Sequence, residues 1–288
     1  MDLLAIFSPV IAIGGMGLLF GVGLGVTAKK FAVPVDERVE AIKECLPGAN
    51  CGGCGLAGCE AMAKSIVAGE SNINACPVCN ESQVEAMAIV MGIVANACEK
   101  QIAVVGCKGN DEQAKLKYIY SGISNCMDAH LVGGGPKVCA YGCLGFGNCQ
   151  KVCAFDAITM EQGLPVIHPE KCVGCGACKN TCPRHIIQIL PVSATYHVNC
   201  VSKDRGPDVK KGCAVGCIGC GICVKQCEEE AIKLENNCAK IDVSRCISCG
   251  KCETKCPVKA ISNLHEERLK QKTPPIVPLD SGTVHLNE

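Results

Sequence analysis

Tryptophan is absent from the 288 residues, and five Phe and four Tyr are the only other aromatic side chains. Aromatic side chains carry much of an ordinary core, so something other than a large apolar interior must contribute folding energy here. No G-x-G-x-x-G follows a strand and opens a helix, and there is neither a phosphate-binding loop nor a nucleophile-base set. Gly21-Val22-Gly23 lies inside an apolar run and is no dinucleotide loop. These absences place any nicotinamide chemistry on another chain and leave this one without a complete active site or catalytic residue. Lys plus Arg and Asp plus Glu are 28 each, a formal charge of zero, and no nucleic-acid partner is expected.

Cysteine is what the chain has instead. Its 28 Cys are nearly one residue in ten, a density that in a short secreted chain reads as a disulfide scaffold. The spacings oppose that reading. Cys172-x2-Cys175-x2-Cys178-x3-Cys182-Pro183 and Cys246-x2-Cys249-x2-Cys252-x3-Cys256-Pro257 resemble the ligand runs of bacterial ferredoxins. In those, three thiolates hold one [4Fe-4S] cube and the fourth reaches a neighbouring cube. Shifting the sequence by 74 residues superimposes nine Cys on nine, from Cys126 on Cys200 to Cys182 on Cys256, which marks an internal duplication. Metal binding of this density couples to folding, so the apoprotein should be poorly folded. Cubes with four thiolates also carry net negative charge, so the loaded chain is strongly anionic despite its formal balance.

Leu3 to Ala28 is uncharged and is followed by Lys29 and Lys30. At about 1.5 Å per residue such a helix exceeds the roughly 30 Å hydrocarbon core, and it reads as a single-pass membrane anchor. A signal peptide is the rival, weakened by Asp2 in place of a basic start and by the length of the apolar run. The two lysines orient the remainder to the cytoplasm, where thiols stay reduced. Gly17, Gly21 and Gly25 share a helix face suited to close approach of another membrane helix.

Beyond the anchor, Val35 to Glu44 reads as a short amphipathic helix. Leu46-Pro-Gly-Ala-Asn-Cys51-Gly-Gly-Cys54-Gly-Leu-Ala-Gly-Cys59, a helix near Glu60 to Ala68, and Cys76-Pro77 follow. Cys51, Cys54, Cys59 and Cys76 supply four thiolates for one cluster, with a zinc site as the alternative. An anchor, a basic stop, this Gly-rich module and paired ferredoxin runs, in that order, resemble the B subunit of clostridial-type Rnf complexes. These are ion-translocating ferredoxin:NAD oxidoreductases, and the resemblance covers most of the chain. It implies that this chain carries electrons from soluble ferredoxin toward the membrane and NAD-binding subunits of a translocase in the plasma (inner) membrane, coupled to Na+ or H+ export.

Ser82 to Val94 reads as a helix whose Met87, Met91 and Val94 stripe is core. Ile102 to Val105 reads as a strand, and Asp111 to Tyr120 as a helix. The ferredoxin crossover pairs Cys217, Cys220, Cys223 with Cys256, and Cys246, Cys249, Cys252 with Cys227. In the first repeat Phe146 stands where Cys220 does. The neighbouring Cys139 is the nearest replacement, giving Cys139, Cys143, Cys149 with Cys182, and Cys172, Cys175, Cys178 with Cys153. A [3Fe-4S] centre with Cys139 free is the alternative. Five [4Fe-4S] clusters result. A sixth is expected on Cys107, Cys126, Cys200 and Cys213, with Cys98 and Cys238 read as buried free thiols and Cys45 and Cys79 left unassigned. Glu228, Glu229 and Glu230 should lower the potential of the adjacent cluster.

The expected architecture is α+β: an anchor at 1–30, a [4Fe-4S] module at 31–82, an α/β connecting segment at 83–137, two duplicated dicluster ferredoxin-like units at 138–195 and 196–264, and a flexible tail at 265–288. His168, His185 and His197 read as surface residues. The competing functions are an iron-sulfur subunit of a different membrane oxidoreductase and a zinc-binding scaffold.

Overall fold

The computed structural model describes residues 3–30, 36–95 and 99–272. Helix α1 (Leu3–Lys30) ends in Lys29 and Lys30. Its Ile13, Leu18 and Leu24 are each about 70% exposed, and Met16, Leu19, Phe20 and Val26 are exposed with them. Consecutive helical positions point 100° apart, so Leu18, Leu19 and Phe20 show that the apolar surface is not confined to one face. Among the described residues no helix is long and apolar enough to cross a membrane, so α1 does not by itself establish the expected crossing.

The first module is a helical cluster. Helix α2 (Glu37–Cys45) starts where the Asp36 side chain accepts from Arg38 N, and it buries Val39 and Ile42. Helix α3 (Cys59–Val67) buries Met62, Ala63 and Ile66, and a 3-10 turn at Ile73–Ala75 buries Ile73. Helix α4 (Glu81–Met91) opens on a capping box between Asn80 and Gln83 and stops at Gly92, whose φ of +66° suits a residue without Cβ. Its Val84, Met87 and Ala88 pack with Ile42, Met62 and Ile66 in one core. The connecting segment expected at 83–137 is therefore shared out, with α4 packing on the first module. Met87 is core, whereas Val94 lies past the Gly92 stop and is 86% exposed.

The rest of that segment belongs to the repeats. Strand β1 (Gln101–Val105) precedes α5 (Cys126–Leu131) and α6 (Asn148–Lys151), the hairpin β2 (Ile158–Glu161) and β3 (Leu164–Ile167), α7 (Ala177–Thr181) and β4 (Ile187–Pro191). The second unit runs β5 (Tyr196–Val198), α8 (Gly206–Gly212), α9 (Ile222–Gln226), hairpin β6 (Ile232–Glu235) and β7 (Cys238–Ile241), α10 (Lys251–Thr254) and β8 (Ile261–Asn263). Each unit has an inner antiparallel hairpin, β2-β3 or β6-β7, and an outer antiparallel pair, β1-β4 or β5-β8. The hairpins superimpose at the 74-residue shift. The first outer strands do not: Val105 faces Ile187 and Val198 faces Ile261, so the first unit has gained chain between its outer strand and its thiols.

Part of that extra chain, Asp111 to Tyr120, forms no helix. Lys115 N donates to Gly212 O, Ala214 N to Gln113 O, Lys117 N to Pro136 O and Val138 N to Lys115 O. The segment is stitched between two partners, and backbone groups used in that way are not available to a helix. The expected tail also begins differently. Leu264 is buried, and α11 (Leu264–Lys272) is held by Arg268 donating to Val192 O at 2.7 Å; residues 273–288 and Cys98 lie outside the described residues. His197 is buried, not on the surface, because β5 turns it inward beside Gly106.

Candidate metal centres

Four loops share one backbone device. In Cys143 to Cys149, Cys172 to Cys178, Cys217 to Cys223 and Cys246 to Cys252, the residues flanking the middle position both have positive φ: Gly145 and Gly147, Gly174 and Gly176, Gly219 and Gly221, Ser248 and Gly250. Two left-handed residues around one position curl the chain about a point. Short helices α6, α7, α9 and α10 then carry the last Cys of each loop inward, and Cys149, Cys178, Cys223 and Cys252 are all buried.

The ends of those helices cross over. Cys217, Cys220 and Cys223 share a cavity with Cys256, walled by Val198, Leu234 and Ile261. Cys246, Cys249 and Cys252 share one with Cys227, and Cys172, Cys175 and Cys178 share one with Cys153. Cys51, Cys54, Cys59 and Cys76 line a fourth, against Pro47 and Met62. A cavity larger than these four lies elsewhere, between β1, β3 and α11, and has Cys107 on its wall.

The donor set fits an iron-sulfur cube. All described cysteines are free thiols, which removes the disulfide reading for them. Among the described residues no three Cys, His, Asp or Glu are close enough together to hold a single ion, whereas four thiols around an apolar cavity suit a larger group. Backbone amides aim at the sulfurs: Ala260 N to Cys256 Sγ at 3.3 Å, and Ala157 N to Cys153 Sγ and Ala103 N to Cys172 Sγ at 3.4 Å. Burial, reinforced by neighbouring thiols, pushes Cys143 and Cys178 up to about 12 and Cys149, Cys223 and Cys252 up to about 11. Thiolates so placed require a cation to neutralise them.

Two unassigned thiols acquire a place. Cys79 hydrogen-bonds Cys76, lowering it to about 6 while its own pKa rises, and Cys45 and Cys59 lie nearby. Cys238, read as a buried bystander, bonds both Cys200 and Cys217 and lowers them to about 7 and about 6. A donor to a ligating sulfur favours the more negative, reduced cluster. Cys238→Ala should therefore shift the potential of a cluster held by Cys217 to a more negative value. Tens of millivolts are expected, since a hydrogen bond of about 1 kcal/mol corresponds to roughly 40 mV for one electron; a redox titration followed by EPR checks it. Glu228 and Glu230 are met by Lys251 and Arg245, so the expected field of that acidic turn is largely neutralised.

The expected grouping puts Cys126 with Cys107, Cys200 and Cys213. The Cys126 amide donates to Asn148 Oδ1 at 2.9 Å, beside Cys149, whereas Cys139 Sγ faces Gly142 together with Cys107 Sγ. No sequence spacing signals this, because strand pairing and not the 74-residue shift sets which thiols are equivalent.

Comparison with known proteins follows the same outline. An Fe-S cluster family matches residues 46–78. The 4Fe-4S binding domain matches 165–188 and 239–262, and a second 4Fe-4S binding domain family matches 216–230. The chain is 47% identical over 259 residues, 90% of its own length and 78% of the other, to the B subunit of the Na(+)-translocating ferredoxin:NAD(+) oxidoreductase complex of Acetobacterium woodii. The chain belongs to the family of Rnf B subunits. It is also 44% identical over 80% of its length, and 81% of the other, to the B subunit of the proton-translocating ferredoxin:NAD(+) oxidoreductase complex of Clostridium ljungdahlii. To the B subunit of an ion-translocating oxidoreductase complex of Methanosarcina acetivorans it is 38% identical, over 89% of its length and 97% of the other. As a member of the Rnf family it is an iron-sulfur electron-transfer subunit of an enzyme complex.

Proposed function

We propose that this Rnf protein is a membrane-tethered relay that takes electrons from a soluble ferredoxin and passes them through successive [4Fe-4S] cubes to membrane redox subunits. The observation that carries the reading is the crossed cavities, each holding three thiols of one loop and a fourth from the partner loop. Cys51, Cys54, Cys59 and Cys76 would hold the cluster nearest the anchor. Cys153 with Cys172, Cys175 and Cys178, then Cys143, Cys149 and Cys182, would serve the first unit. Cys256 with Cys217, Cys220 and Cys223, and Cys227 with Cys246, Cys249 and Cys252, would serve the second. When bound, these cubes supply one-electron carriers; the chain holds them apart from water and sets their charge environment.

Two features give the relay a direction. A Cβ at Gly53 would lie 2.7 Å from Cys175 O, so the first module seats directly on the first unit, and in chain order it is also next to α1. At the other end Cys220 and Cys249 are exposed, and Ile247 beside Cys249 is 64% exposed. The second unit thus faces the soluble carrier, and the module faces the membrane. The apolar stretch of α1, exposed from Ile13 to Val26 and closed by two lysines, serves as the single-pass anchor of a cytoplasmic domain at the plasma membrane, with its Gly17, Gly21 and Gly25 face toward other Rnf subunits.

The test is Ile247→Asp in the assembled complex. A charge in the centre of a docking patch typically costs about 1.4 kcal/mol or more, so the second-order rate of reduction by reduced ferredoxin should fall at least about tenfold. Iron content should not change. An unaltered rate in stopped-flow bleaching would move the docking site elsewhere.

A further inference from the structure

The loop from Cys143 to Cys149 keeps the two left-handed positions of its three counterparts, here Gly145 and Gly147, and lacks only the middle thiol. Phe146 occupies that position and packs on Tyr120, ring centroids 5.1 Å apart at 54°. Tyr120 begins the stretch leading to Asn125 and Cys126. Asn148 then clamps that stretch, accepting from Cys126 N at 2.9 Å and donating to Asn125 Oδ1 at 2.9 Å. Asn125 in turn caps α5 through Met127 N. Cys126 is thereby held next to Cys149, the neighbour of Asn148 in the chain.

A second constellation sits between the units. A Cβ on Gly142 would lie 3.5 Å from Cys139 Sγ and 3.7 Å from Cys107 Sγ; one on Gly109 would lie 3.3 Å from Cys213 Sγ and 3.8 Å from Cys107 Sγ. Each pair of sulfurs is therefore no farther apart than its two distances laid end to end, and the glycines keep the space between them open. With Cys200, these thiols are related in pairs. Gly106 N donates to Ile186 O and Asn199 N to Ala260 O, so Cys107 and Cys200 each stand one residue past the same point of an outer strand. Cys139 and Cys213 each precede their loop by four residues. Gly212 packs on Val138, which brings the latter two together. Lys137 beside them is 4% exposed, and its Nζ donates to Gly109 O at 2.8 Å. A buried ammonium whose partner is a carbonyl calls for a nearby anion.

We propose that Cys107, Cys139, Cys200 and Cys213, two from each ferredoxin-like unit, hold a bridging [4Fe-4S] cluster, and that Cys126 completes the set of Cys143, Cys149 and Cys182 in place of the missing thiol. This rests on the relay reading and extends it. Cys143 N donates to Cys107 Sγ at 3.4 Å on one side, and Cys200 adjoins Cys217 on the other. The bridging cluster therefore joins two separate pairs of cubes into one continuous path.

The test is the iron, sulfide and EPR inventory of the full chain, reconstituted anoxically. Wild type should hold about 24 irons as six four-iron cubes, and Cys107→Ser, Cys139→Ser and their double variant about 20 each, because all three lose the same cluster. Cys126→Ser should lose iron at a different cluster, with a [3Fe-4S] signal or loss of the cube, and combining it with Cys107→Ser should be additive. Phe146→Cys supplies the missing thiol directly: it should restore the Cys126→Ser variant to the wild-type inventory and leave Cys139→Ser depleted. In folded Phe146→Cys holoprotein, Cys126 should become alkylatable, which keeps the assignment testable if a Ser variant fails to fold. Restoration of Cys139→Ser instead, a further drop in the Cys107/Cys139 double variant, or a wild-type [3Fe-4S] centre would overturn it. About 20 irons in wild type, unchanged by Cys107→Ser, would remove the bridging cluster and leave the relay reading intact; a wild-type chain without iron would remove both.

Discussion

Cys256→Ser should abolish the cluster of Cys217, Cys220 and Cys223 while leaving that of Cys246, Cys249 and Cys252 in place, although Cys256 is adjacent in sequence to the latter. The helices α9 and α10 aim their following cysteines at each other's loops, and Cys256 lines the cavity of the first loop. Its sulfur also receives Ala260 N, so the serine loses both the ligand and the acceptor that orients it. Iron should fall by about four per chain, as one cube requires, and the EPR signal that disappears should be the one also removed by Cys217→Ser. Electron passage from the exposed end of the second unit to the first should stop, because the stations lie in series. Loss of the Cys246 cluster instead would mean that each run holds its own cube and would undo the crossed arrangement.

Stripping iron and sulfide should melt the two ferredoxin-like units and spare the first helical module. The second unit's core includes Cys217, Cys223, Cys238 and Cys252 among few large apolar side chains. Structural metal binding is commonly worth about 10–16 kcal/mol, comparable to or larger than the roughly 5–15 kcal/mol stability of a whole domain. The module differs. Ile42, Met62, Ile66 and Met87 give it an apolar core of its own, and α2 and α4 carry N-terminal caps. After chelation under reducing conditions, the strand signal in circular dichroism should vanish, while part of the helical signal should keep a cooperative thermal transition. A chain that melts at the same temperature with and without iron would show that the units fold on side-chain packing alone.

Much of this architecture was legible because its ligand spacings are short. Cys-x2-Cys-x2-Cys runs specify their own loops, since each gap needs a left-handed residue beside the middle Cys and glycine supplies most of them. The hairpins follow at the 74-residue period. Helix α4 was legible from its apolar stripe, but the reading to Val94 ran past its stop at Gly92, and its packing partner was not legible, because an amphipathic face does not say which neighbour covers it. The stretch Asp111 to Tyr120 misled for the same reason in reverse: its composition permits a helix, and pairing with Gly212 and Pro136 overrides it. That insertion also shifted the apparent equivalence of the thiols. Sequence shift aligns Cys126 with Cys200, whereas hydrogen bonding of the outer strands aligns Cys107 with it. Helix α11 was hidden because its anchoring contacts, from Arg268 to Val192 and Ala194, span more than seventy residues.

The central claim, that these thiols cage inorganic iron and sulfide in series, is tested most directly by counting iron and acid-labile sulfide in the anoxically purified full chain and recording EPR after stepwise reduction. The account predicts roughly 20–24 of each per chain, with spectra of several interacting reduced [4Fe-4S] centres. Zinc in place of iron, or a chain that shows no paramagnetic signal on reduction, would contradict it.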